Sequence, residues 1–484
     1  MNARIIGLVV GVVFAAGMAW GQPEVEWERT YDNLSRDVCY SLISTLEDGY
    51  ALAGISRAGF SDPADFCIVK TDDRGTQLWT KSFGSPQNDD VCYDLVQTGN
   101  GEFALGGNTY SYGEGENDFW MLIVDEDGDS LSSHTYGAVR ADYCNAMIQT
   151  VDDGFALAGS RWYWVGENWP PRDSANACLI KTDPNGTTEW VREYRASEFM
   201  SLTQTNDGGF ALIGNNGLGL GAVTIFRVNS QGDSLWSTPF EADEVTIVYD
   251  IIETRDRGFA VIGRTGHGER DHDLLLLKLN SDGEILWSRT YGGAGNTDVG
   301  RSIRQTPDGG YAMAGYTYSF GAGDDNGWLI RVNADGDSLW SLPCGGNGSD
   351  DFMSLVITPD SGYAMAGQSG GDFYLVKTTP DPVSVREPHS TLSPLTFKLF
   401  PAFPNPFNST VTIPFGLDES APTRLAIFDP LGRRVADLTG RFGDRPYAGN
   451  HSVVWNANGM PAGQYIIRLE AGNQQLTQRL SLVK

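Results

Sequence analysis

One short pattern recurs seven times along this 484-residue chain, and it restricts the possible folds more than any other feature. A turn residue is followed by an aromatic residue, alanine, two aliphatic or small residues and glycine, as at positions 49–54 and 362–367. The aromatic residues of the seven copies are Tyr50, Phe103, Phe155, Phe210, Phe259, Tyr311 and Tyr363. Their spacing of 49 to 55 residues is typical of a repeat protein.

Each repeat contains four short runs of strand-forming residues separated by turns rich in Gly, Asp and Asn. In the fifth repeat these runs are 249–254, 258–264, 273–280 and 284–291. Four antiparallel strands in about 50 residues, without helical segments, are typical of a β-propeller blade. We therefore predict an all-β fold with a seven-bladed β-propeller over residues 22–380.

The two ends of the repeat region complement each other. The seventh repeat reaches Pro380 without a fourth strand, whereas residues 27–31 closely resemble residues 287–291, the fourth strand of the fifth repeat. We predict that this N-terminal strand completes the last blade and closes the ring, which removes two open sheet edges. Deletion of residues 22–32 is then expected to destabilise the whole ring.

Most fourth strands carry a tryptophan four residues after a glycine. The pairs are Gly75/Trp79, Gly186/Trp190, Gly232/Trp236, Gly283/Trp287 and Gly336/Trp340, and the second repeat has Ser132 in place of the tryptophan. Propellers that bind a quinone cofactor also contain such a pattern. A cofactor needs converging polar ligands, whereas these residues lie on separate blades, so we predict a packing role and no cofactor.

The charge of the chain excludes one class of partner. Sixty-two Asp and Glu against 34 Lys and Arg give a net charge of −28, which disfavours binding to nucleic acid or anionic lipid. The charge is uneven, because residues 397–484 carry nine basic and six acidic side chains. This contrast predicts a second domain at 397–484, joined through a proline-containing linker at 381–396.

The N-terminal residues 1–21 have the features of a secretory signal peptide. Arg4 precedes an apolar run at 5–16, and small residues flank Trp20 before a cleavage site at Gln22. The apolar run is too short for a membrane-spanning helix, which needs about 20 residues. We expect an exported protein without a transmembrane segment.

The six cysteines follow the repeat. Cys39, Cys92 and Cys144 share one first-strand position, Cys67 and Cys178 share a third-strand position, and Cys344 stands alone. First and third strands of one blade are separated by about 9–10 Å, beyond the Cα limit of about 7 Å for a disulfide. We predict buried free thiols.

No motif of a catalytic or metal centre is present. The five histidines form no HExxH, and neither a G-x-S-x-G elbow nor a phosphate-binding loop occurs. His267 and His272 share a polar loop without a third ligand at a fixed spacing. The hairpin at 125–129 resembles half of a calcium loop, with Asp125, Asp127 and Asp129, but its glycine is misplaced for an EF-hand. We predict no catalytic residue and no metal.

Acidic residues precede most first strands. They are Asp37, Asp90, Asp142, Glu198, Asp298 and Asp351. We expect them to accept hydrogen bonds from backbone N–H groups of adjacent turns. A ring of carboxylates that binds a cation at the channel mouth is the alternative.

Aromatic residues on the loops between second and third strands are the candidate ligand site. The third repeat has an enlarged loop at 161–172 with four of them, and the second and sixth repeats contribute the others. The set is Trp162, Tyr163, Trp164, Trp169, Tyr110, Tyr112, Tyr318 and Phe320. Exposed aromatic rings bind sugars or peptide side chains. The same rings could instead cap the core.

The C-terminal segment resembles a known family. It contains Pro-Asn-Pro-Phe-Asn at 404–408, Asp-Pro-Leu-Gly-Arg at 429–433, and several short alternating strands. These motifs resemble the C-terminal sorting domains of type IX secretion cargo and the immunoglobulin-like domain of flagellar hook-capping proteins. The resemblance implies an immunoglobulin-like sandwich at 397–484 that engages the secretion machinery of a Gram-negative bacterium. It further implies a location outside the cell or on its surface, reached through the periplasm.

The function predicted from these features is that of a secreted or surface-displayed binding or adhesion module for a glycan or a peptide. A polysaccharide hydrolase is the first alternative, and it requires paired carboxylates at the channel mouth. A structural surface-layer component is the second.

Overall fold

The computed structural model divides the chain into two compact units, Met1–Val385 and Arg386–Lys484. The structure describes residues 22–32, 36–59, 61–165, 172–215, 222–241, 245–267, 271–382, 398–399, 402, 407, 410–417, 423–430, 432–439, 449–457, 459–471 and 474–483. The predicted signal peptide at 1–21 lies outside these residues, as does Trp169.

Every helix or strand assigned in the described part of the first unit is a β-strand. In chain order the strands are β1 (Val25–Tyr31), β2 (Arg36–Ser44), β3 (Tyr50–Arg57), β4 (Asp65–Thr71), β5 (Gln77–Phe83), β6 (Asp90–Gln97), β7 (Phe103–Thr109), β8 (Asp118–Val124), β9 (Ser130–Tyr136), β10 (Asp142–Gln149), β11 (Phe155–Val165), β12 (Arg172–Thr182), β13 (Thr188–Tyr194), β14 (Glu198–Gln204), β15 (Phe210–Asn215), β16 (Ala222–Val228), β17 (Ser234–Glu241), β18 (Val245–Glu253), β19 (Phe259–His267), β20 (Asp271–Leu279), β21 (Ile285–Tyr291), β22 (Asp298–Gln305), β23 (Tyr311–Thr317), β24 (Asn326–Val332), β25 (Ser338–Cys344), β26 (Asp350–Ile357), β27 (Tyr363–Ser369) and β28 (Asp372–Thr378).

These strands form four-stranded antiparallel sheets. Sheets 1 to 6 each contain four consecutive strands, from β2–β5 to β22–β25, and sheet 7 has the order β1-β28-β27-β26. The N-terminal strand β1 therefore pairs with the last strand of the repeat region, with Trp27 opposite Lys377. The all-β class and the four-stranded sheets agree with the sequence prediction.

The recurring aromatic residue and the recurring tryptophan pack against each other between neighbouring sheets. Trp79 of sheet 1 meets Phe103 of sheet 2 edge to face, with ring centroids 6.1 Å apart. The same contact, at 5.8–6.4 Å, is made by Trp27/Tyr50, Trp190/Phe210, Trp236/Phe259, Trp287/Tyr311 and Trp340/Tyr363. Both motifs are therefore explained by packing, as predicted for the tryptophans.

The glycine before each tryptophan has a separate cause. Gly283 has φ +81°, and a Cβ at this position would lie only 2.7 Å from the ring of Trp236 in the preceding sheet. A larger residue would be strained by its backbone and would collide with the neighbouring indole. This glycine position therefore allows consecutive sheets to approach closely.

In each of sheets 1 to 7, the first strand of the repeat contains a β-bulge at the same place. The bulge residues, which interrupt the pairing with the second strand, are Tyr40, Tyr93, Asn145, Met200, Tyr249, Arg301 and Met353. A bulge redirects the side chain of the extra residue. Hence the side chains at these positions do not follow the simple alternation of a strand.

Hydrogen bonds link the first strands of successive sheets just beyond the bulges. Leu95 N donates to Ser41 Oγ at 3.2 Å, and Met147 N donates to Asp94 Oδ2 at 2.9 Å. Leu42 N in sheet 1 donates to Ser354 Oγ in sheet 7 at 3.1 Å. The same contact therefore joins consecutive sheets and the two ends of the repeat region.

The cysteines are buried within these sheets. All six are free thiols: Cys39, Cys67, Cys92, Cys144, Cys178 and Cys344. Burial raises the pKa of each thiol, to about 12 for Cys67 and Cys344. They behave as small apolar core residues.

The second unit contains two sheets around one hydrophobic core. Its strands are β29 (Lys398–Leu399), β30 (Thr410–Leu417), β31 (Thr423–Phe428), β32 (Arg434–Asp437), β33 (Gly449–Asn456), β34 (Gly463–Ala471) and β35 (Gln474–Leu482). The sheet orders are β29-β30-β33 and β32-β31-β34-β35. Phe407, Trp455 and Tyr465 pack in the shared core with aliphatic residues from both sheets.

Candidate functional site

The structure divides the aromatic residues predicted for ligand binding into several groups. Tyr110, Tyr112, Trp162, Tyr163 and Tyr318 are 36–47% exposed. Phe320 is half-buried. Trp164 lies in β11, where its backbone pairs with Asp173, but its side chain is outside the described part of the structure. The six whose side chains the structure describes therefore do not share one environment.

Two of the predicted residues cap the core. The ring of Phe320 lies 5.4 Å from Trp328, a fully buried residue of sheet 6. The ring of Tyr112 lies 5.2 Å from Trp120, and its hydroxyl donates to Gly84 O at 3.0 Å. The equivalent loops of sheets 2 and 6 thus use one aromatic residue each to cover a buried tryptophan.

Trp162 and Tyr163 lie on an extended hairpin formed by β11 and β12. The hydroxyl of Tyr163 donates to the Glu193 carboxylate on β13, which fixes the hairpin to its own sheet. Burial and the nearby Glu193 raise the pKa of this phenol. The contacts of Tyr163 are consistent with a structural role on the outer part of sheet 3.

A different group of tyrosines gathers around the bulges of the first strands. Tyr40 and Tyr93, both bulge residues, have ring centroids 5.2 Å apart. The hydroxyls of Tyr110 and Tyr143 are 3.4 Å apart, which brings one predicted residue into this group. Tyr318, another predicted residue, has its ring 6.1 Å from that of Tyr316.

Arg301 is the cation of this group. Its guanidinium lies 4.0 Å from the ring centroid of Tyr249 and 5.8 Å from that of Tyr316. Cation–π contacts of this kind stabilise the side chain against the ring faces. Arg301 is itself a bulge residue, as are Tyr40, Tyr93 and Tyr249.

Asp351 is the buried acid of the same group. It is 7% exposed and accepts hydrogen bonds from the backbone N (3.2 Å) and the Nε2 (3.1 Å) of Gln368. Burial raises its pKa to about 6, although Arg301 opposes the shift. Asp351 also acts electrostatically on Tyr40, Tyr316 and Tyr318, raising their pKa values after the larger effect of burial.

We define the tyrosine cluster as these seven tyrosines together with Arg301 and Asp351. The tyrosines are Tyr40, Tyr93, Tyr110, Tyr143, Tyr249, Tyr316 and Tyr318. Sequence reasoning found Tyr110 and Tyr318 and missed the others. For Tyr40, Tyr93 and Tyr249 the available signal was an aromatic residue near the middle of a first strand, which the bulge turns away from the core.

The acids before the first strands behave as predicted in three sheets. Asp90 accepts from Ser85 N (3.2 Å), Asp142 from Ala138 N (2.8 Å) and Asp298 from Gly293 N (2.9 Å). In sheet 7 the residue at this position is Asp350, which accepts from Gly346 N at 2.8 Å. The expectation for Asp351 was wrong by one residue, because Asp350 pairs with Ser369 as Asp90 pairs with Thr109.

The hairpin at 125–129, which was weighed as half of a calcium loop, is held by its own hydrogen bonds and an ion pair. Asp125 Oδ1 accepts from the backbone N–H groups of Asp127 (3.1 Å) and Asp129 (2.8 Å), and Asp129 pairs with Lys81. These bonds close a tight hairpin. His272 is buried, its pKa is lowered by burial and by Arg264, and the side chain of His267 lies outside the described residues.

A family model matches the C-terminal segment of the chain. Residues 401–483 match the family model described as the secretion system C-terminal sorting domain. No protein of curated function matches the chain. None of the residues that the structure describes forms a helix long and apolar enough to cross a membrane.

Solved structures resemble the chain only distantly. Sqt1 of Chaetomium thermophilum is 12% identical with a TM-score of 0.44, covering 74% of this chain and 98% of its own. A fungal alcohol oxidase of the AA5 family is 11% identical with a TM-score of 0.47, covering 96% and 100%. The GH93 α-L-arabinofuranosidase of Fusarium graminearum is 11% identical with a TM-score of 0.41, covering 76% and 100%. Scores below 0.5 assign no function to this chain.

The match to the sorting-domain model is therefore the most informative of these comparisons. It supports the resemblance of the C-terminal segment to type IX secretion cargo. A tail of this kind indicates export to the cell surface or the extracellular space.

Proposed function

We propose that the protein is an exported binding or adhesion module in which a closed seven-bladed propeller presents the tyrosine cluster to a ligand. Three observations support closure: β1 pairs with β28, Trp27 packs on Tyr50, and Leu42 N bonds to Ser354 Oγ. The last two contacts repeat those seen between consecutive sheets. In this proposal the signal peptide at 1–21 directs the chain to the periplasm, and an immunoglobulin-like domain at 397–484 engages the secretion machinery.

The observation that carries the binding role is the tyrosine cluster. Tyrosine combines a large apolar ring with a polar hydroxyl, so it stacks on a sugar ring while hydrogen bonding to its hydroxyls. Arg301 and Asp351 add a donor group and an acceptor group within the same cluster. This chemistry suits a glycan, with Tyr110 and Tyr318 as the most exposed rings.

The test compares glycan binding by the purified full-length protein and three variants. Tyr110→Ala and Tyr318→Ala remove exposed rings of the cluster, and Trp162→Ala is the matched control on the outer hairpin. We expect each cluster variant to weaken binding about tenfold, which corresponds to about 1.4 kcal/mol. Binding lost in Trp162→Ala but retained in the two cluster variants would transfer the site to the hairpin. Binding to a peptide array, without binding to any glycan, would identify the ligand as a peptide.

A hydrolase is the second candidate, and Asp351 is the observation that favours it. A carboxyl with a pKa of about 6 is suited to general acid catalysis. Asp325 acts on it electrostatically and is the candidate partner carboxylate. Release of reducing sugar by the wild type, abolished in Asp351→Asn and retained in Tyr112→Phe, would support an enzyme. Absence of release with intact glycan binding would favour the binding module.

The role of the C-terminal domain is tested by localisation. In the native host, deletion of 397–484 is expected to leave the protein in the periplasm, whereas the intact chain reaches the cell surface or the medium. The intact mass of the extracellular species then shows whether the linker at 381–396 is cut. Export of the deletion variant would contradict the sorting role.

A further inference from the structure

The junction between sheets 2 and 3 contains two carboxylates that face each other in a nearly closed environment. Asp118 begins β8 and Asp142 begins β10, and each is 1% exposed. Asp142 Oδ2 accepts from Ala138 N at 2.8 Å, and Asp118 Oδ2 accepts from Gly115 N at 3.0 Å. The second oxygen of Asp118, Oδ1, has no hydrogen-bond partner in the part of the chain that the structure describes.

Asp118 Oδ1 is surrounded by other oxygens. A Cβ atom added to Gly137 would collide with Asp118 Oδ1. The same added atom would lie 3.0 Å from Asp142 Oδ2. A Cβ atom added to Gly115 would collide with Ala138 O. It would lie 2.6 Å from Arg140 O and 3.2 Å from Asp118 Oδ1. The unpartnered carboxylate oxygen therefore points among a second carboxylate and two backbone carbonyls.

A third side chain at this junction is also unsatisfied. Asn117 is 0% exposed, and among the described residues neither its Oδ1 nor its Nδ2 has a hydrogen-bond partner. Its backbone carbonyl accepts from Asp142 N at 2.7 Å, which places the residue beside the carboxylate pair. Buried polar groups without partners are rare in folded proteins, and a bound water or ion is one of the causes that account for them.

The charge of the junction favours a cation. The Arg161 Nε lies 4.0 Å from Asp142 Oδ2, and it faces the negative charges of Asp118, Asp142 and the exposed Glu114. One arginine therefore does not balance the acids. The donor atoms are all oxygens, which suit a hard cation with six to eight ligands.

We propose that this junction binds one calcium ion, held by the carboxylates of Asp118 and Asp142 and the carbonyls of Ala138 and Arg140. The carboxylate pair recurs where a third strand meets the next first strand, at Asp65/Asp90 and Asp273/Asp298. A related group, Asp32, Asp37 and Asp372, has ligand atoms within 4.8 Å of one another. Calcium would thus join sheets 2 and 3, where the tryptophan of the other junctions is replaced by Ser132.

The experiment measures calcium binding by the full-length protein after removal of metal with a chelator. Titration calorimetry and the bound metal per chain are compared for the wild type, Asp118→Asn and Asp129→Asn. Asp129 is the matched control, because it lies in the exposed acidic hairpin of the same sheet. We expect Asp118→Asn to bind one calcium fewer than the wild type, and Asp129→Asn to bind the same number.

Thermal unfolding of the wild type keeps the proposal falsifiable if Asp118→Asn does not fold. Calcium is expected to raise the unfolding temperature of the metal-free wild type, because it binds the folded state alone. The proposal would be overturned if the wild type bound no calcium and its unfolding temperature did not change. A proton shared by Asp118 and Asp142 would then explain the carboxylate pair. Loss of one calcium in Asp129→Asn, with none lost in Asp118→Asn, would also overturn it.

Discussion

Replacement of Asp381 by alanine is expected to destabilise the first unit strongly. Asp381 follows the last strand of sheet 7 and is 0% exposed. It accepts from Arg331 Nε at 3.1 Å, Tyr363 OH at 2.6 Å and Trp340 Nε1 at 3.3 Å. One carboxylate thus joins side chains from sheets 6 and 7.

The magnitude follows from what the substitution leaves behind. Arg331 is also 0% exposed, and it keeps its ion pair with Asp308 at 2.5 Å and its hydrogen bonds to the backbone carbonyls of Tyr311 and Val332. Breaking a buried ion pair from one side costs about 3–5 kcal/mol, and an orphaned buried donor costs about 1–3 kcal/mol. Because Asp308 retains part of the compensation, we expect a loss of about 3–5 kcal/mol in the free energy of unfolding.

Calorimetry of the full-length protein measures this effect. A unit of about 360 residues has an unfolding entropy near 0.76 kcal/mol/K, so the expected loss lowers its unfolding temperature by about 4–7 °C. Asp335→Ala is the control, because Asp335 is exposed on a hairpin of sheet 6 and its loss changes the charge equally. Tyr363→Phe removes one donor and is expected to have a smaller effect. Equal unfolding temperatures for Asp381→Ala and Asp335→Ala would refute the reasoning.

Three further predictions concern the inner strands, the thiols and the N-terminal strand. Burial raises the pKa of Asp94 to about 7, so the folded state holds a proton that the unfolded state has already lost. The free energy of unfolding should therefore fall as pH rises from about 4 to 7, and urea unfolding of Asp94→Asn should not show this fall. After denaturation without reductant, all six thiols should react with a thiol reagent. Fewer than six reactive thiols would indicate a disulfide. Deletion of residues 22–32 should lower the unfolding temperature, and unchanged unfolding would contradict the pairing of β1 with β28.

The repeat made the sheets predictable because its residues have local physical causes. Each aromatic residue such as Phe103 fills the space between two sheets, and each glycine such as Gly283 permits their close approach. These requirements recur at every junction, so they leave a periodic trace in the sequence. The buried position of Asp381 left no such trace. It lies at the first residue of the predicted linker, and only the fold brings it against Arg331.

The tyrosine cluster could not be derived in the same way. Counting alternate residues along a strand predicts which face of the sheet Tyr40 and Tyr93 occupy. A bulge adds one residue at each of these positions, so simple alternation does not predict the direction of these side chains. The one-residue error at Asp351 has a different origin: two acids are adjacent on this strand, and only Asp350 has the pairing position that Asp90 has in sheet 2. Tyr110 and Tyr318 were found because loop residues need no register.

The repeats differ from one another where the proposed ligand site lies. Positions shared by the repeats, such as the aromatic residues and the glycines, are buried between sheets and hold them together. The bulge positions instead carry three tyrosines, two methionines, one asparagine and one arginine. Seven identical bulge residues would create a symmetric opening that a ligand could meet in seven equivalent ways. Within the cluster, Arg301 and Asp351 remove that degeneracy, so a ligand that spans the tyrosines is expected to bind in one orientation, with one end next to Arg301 and Asp351.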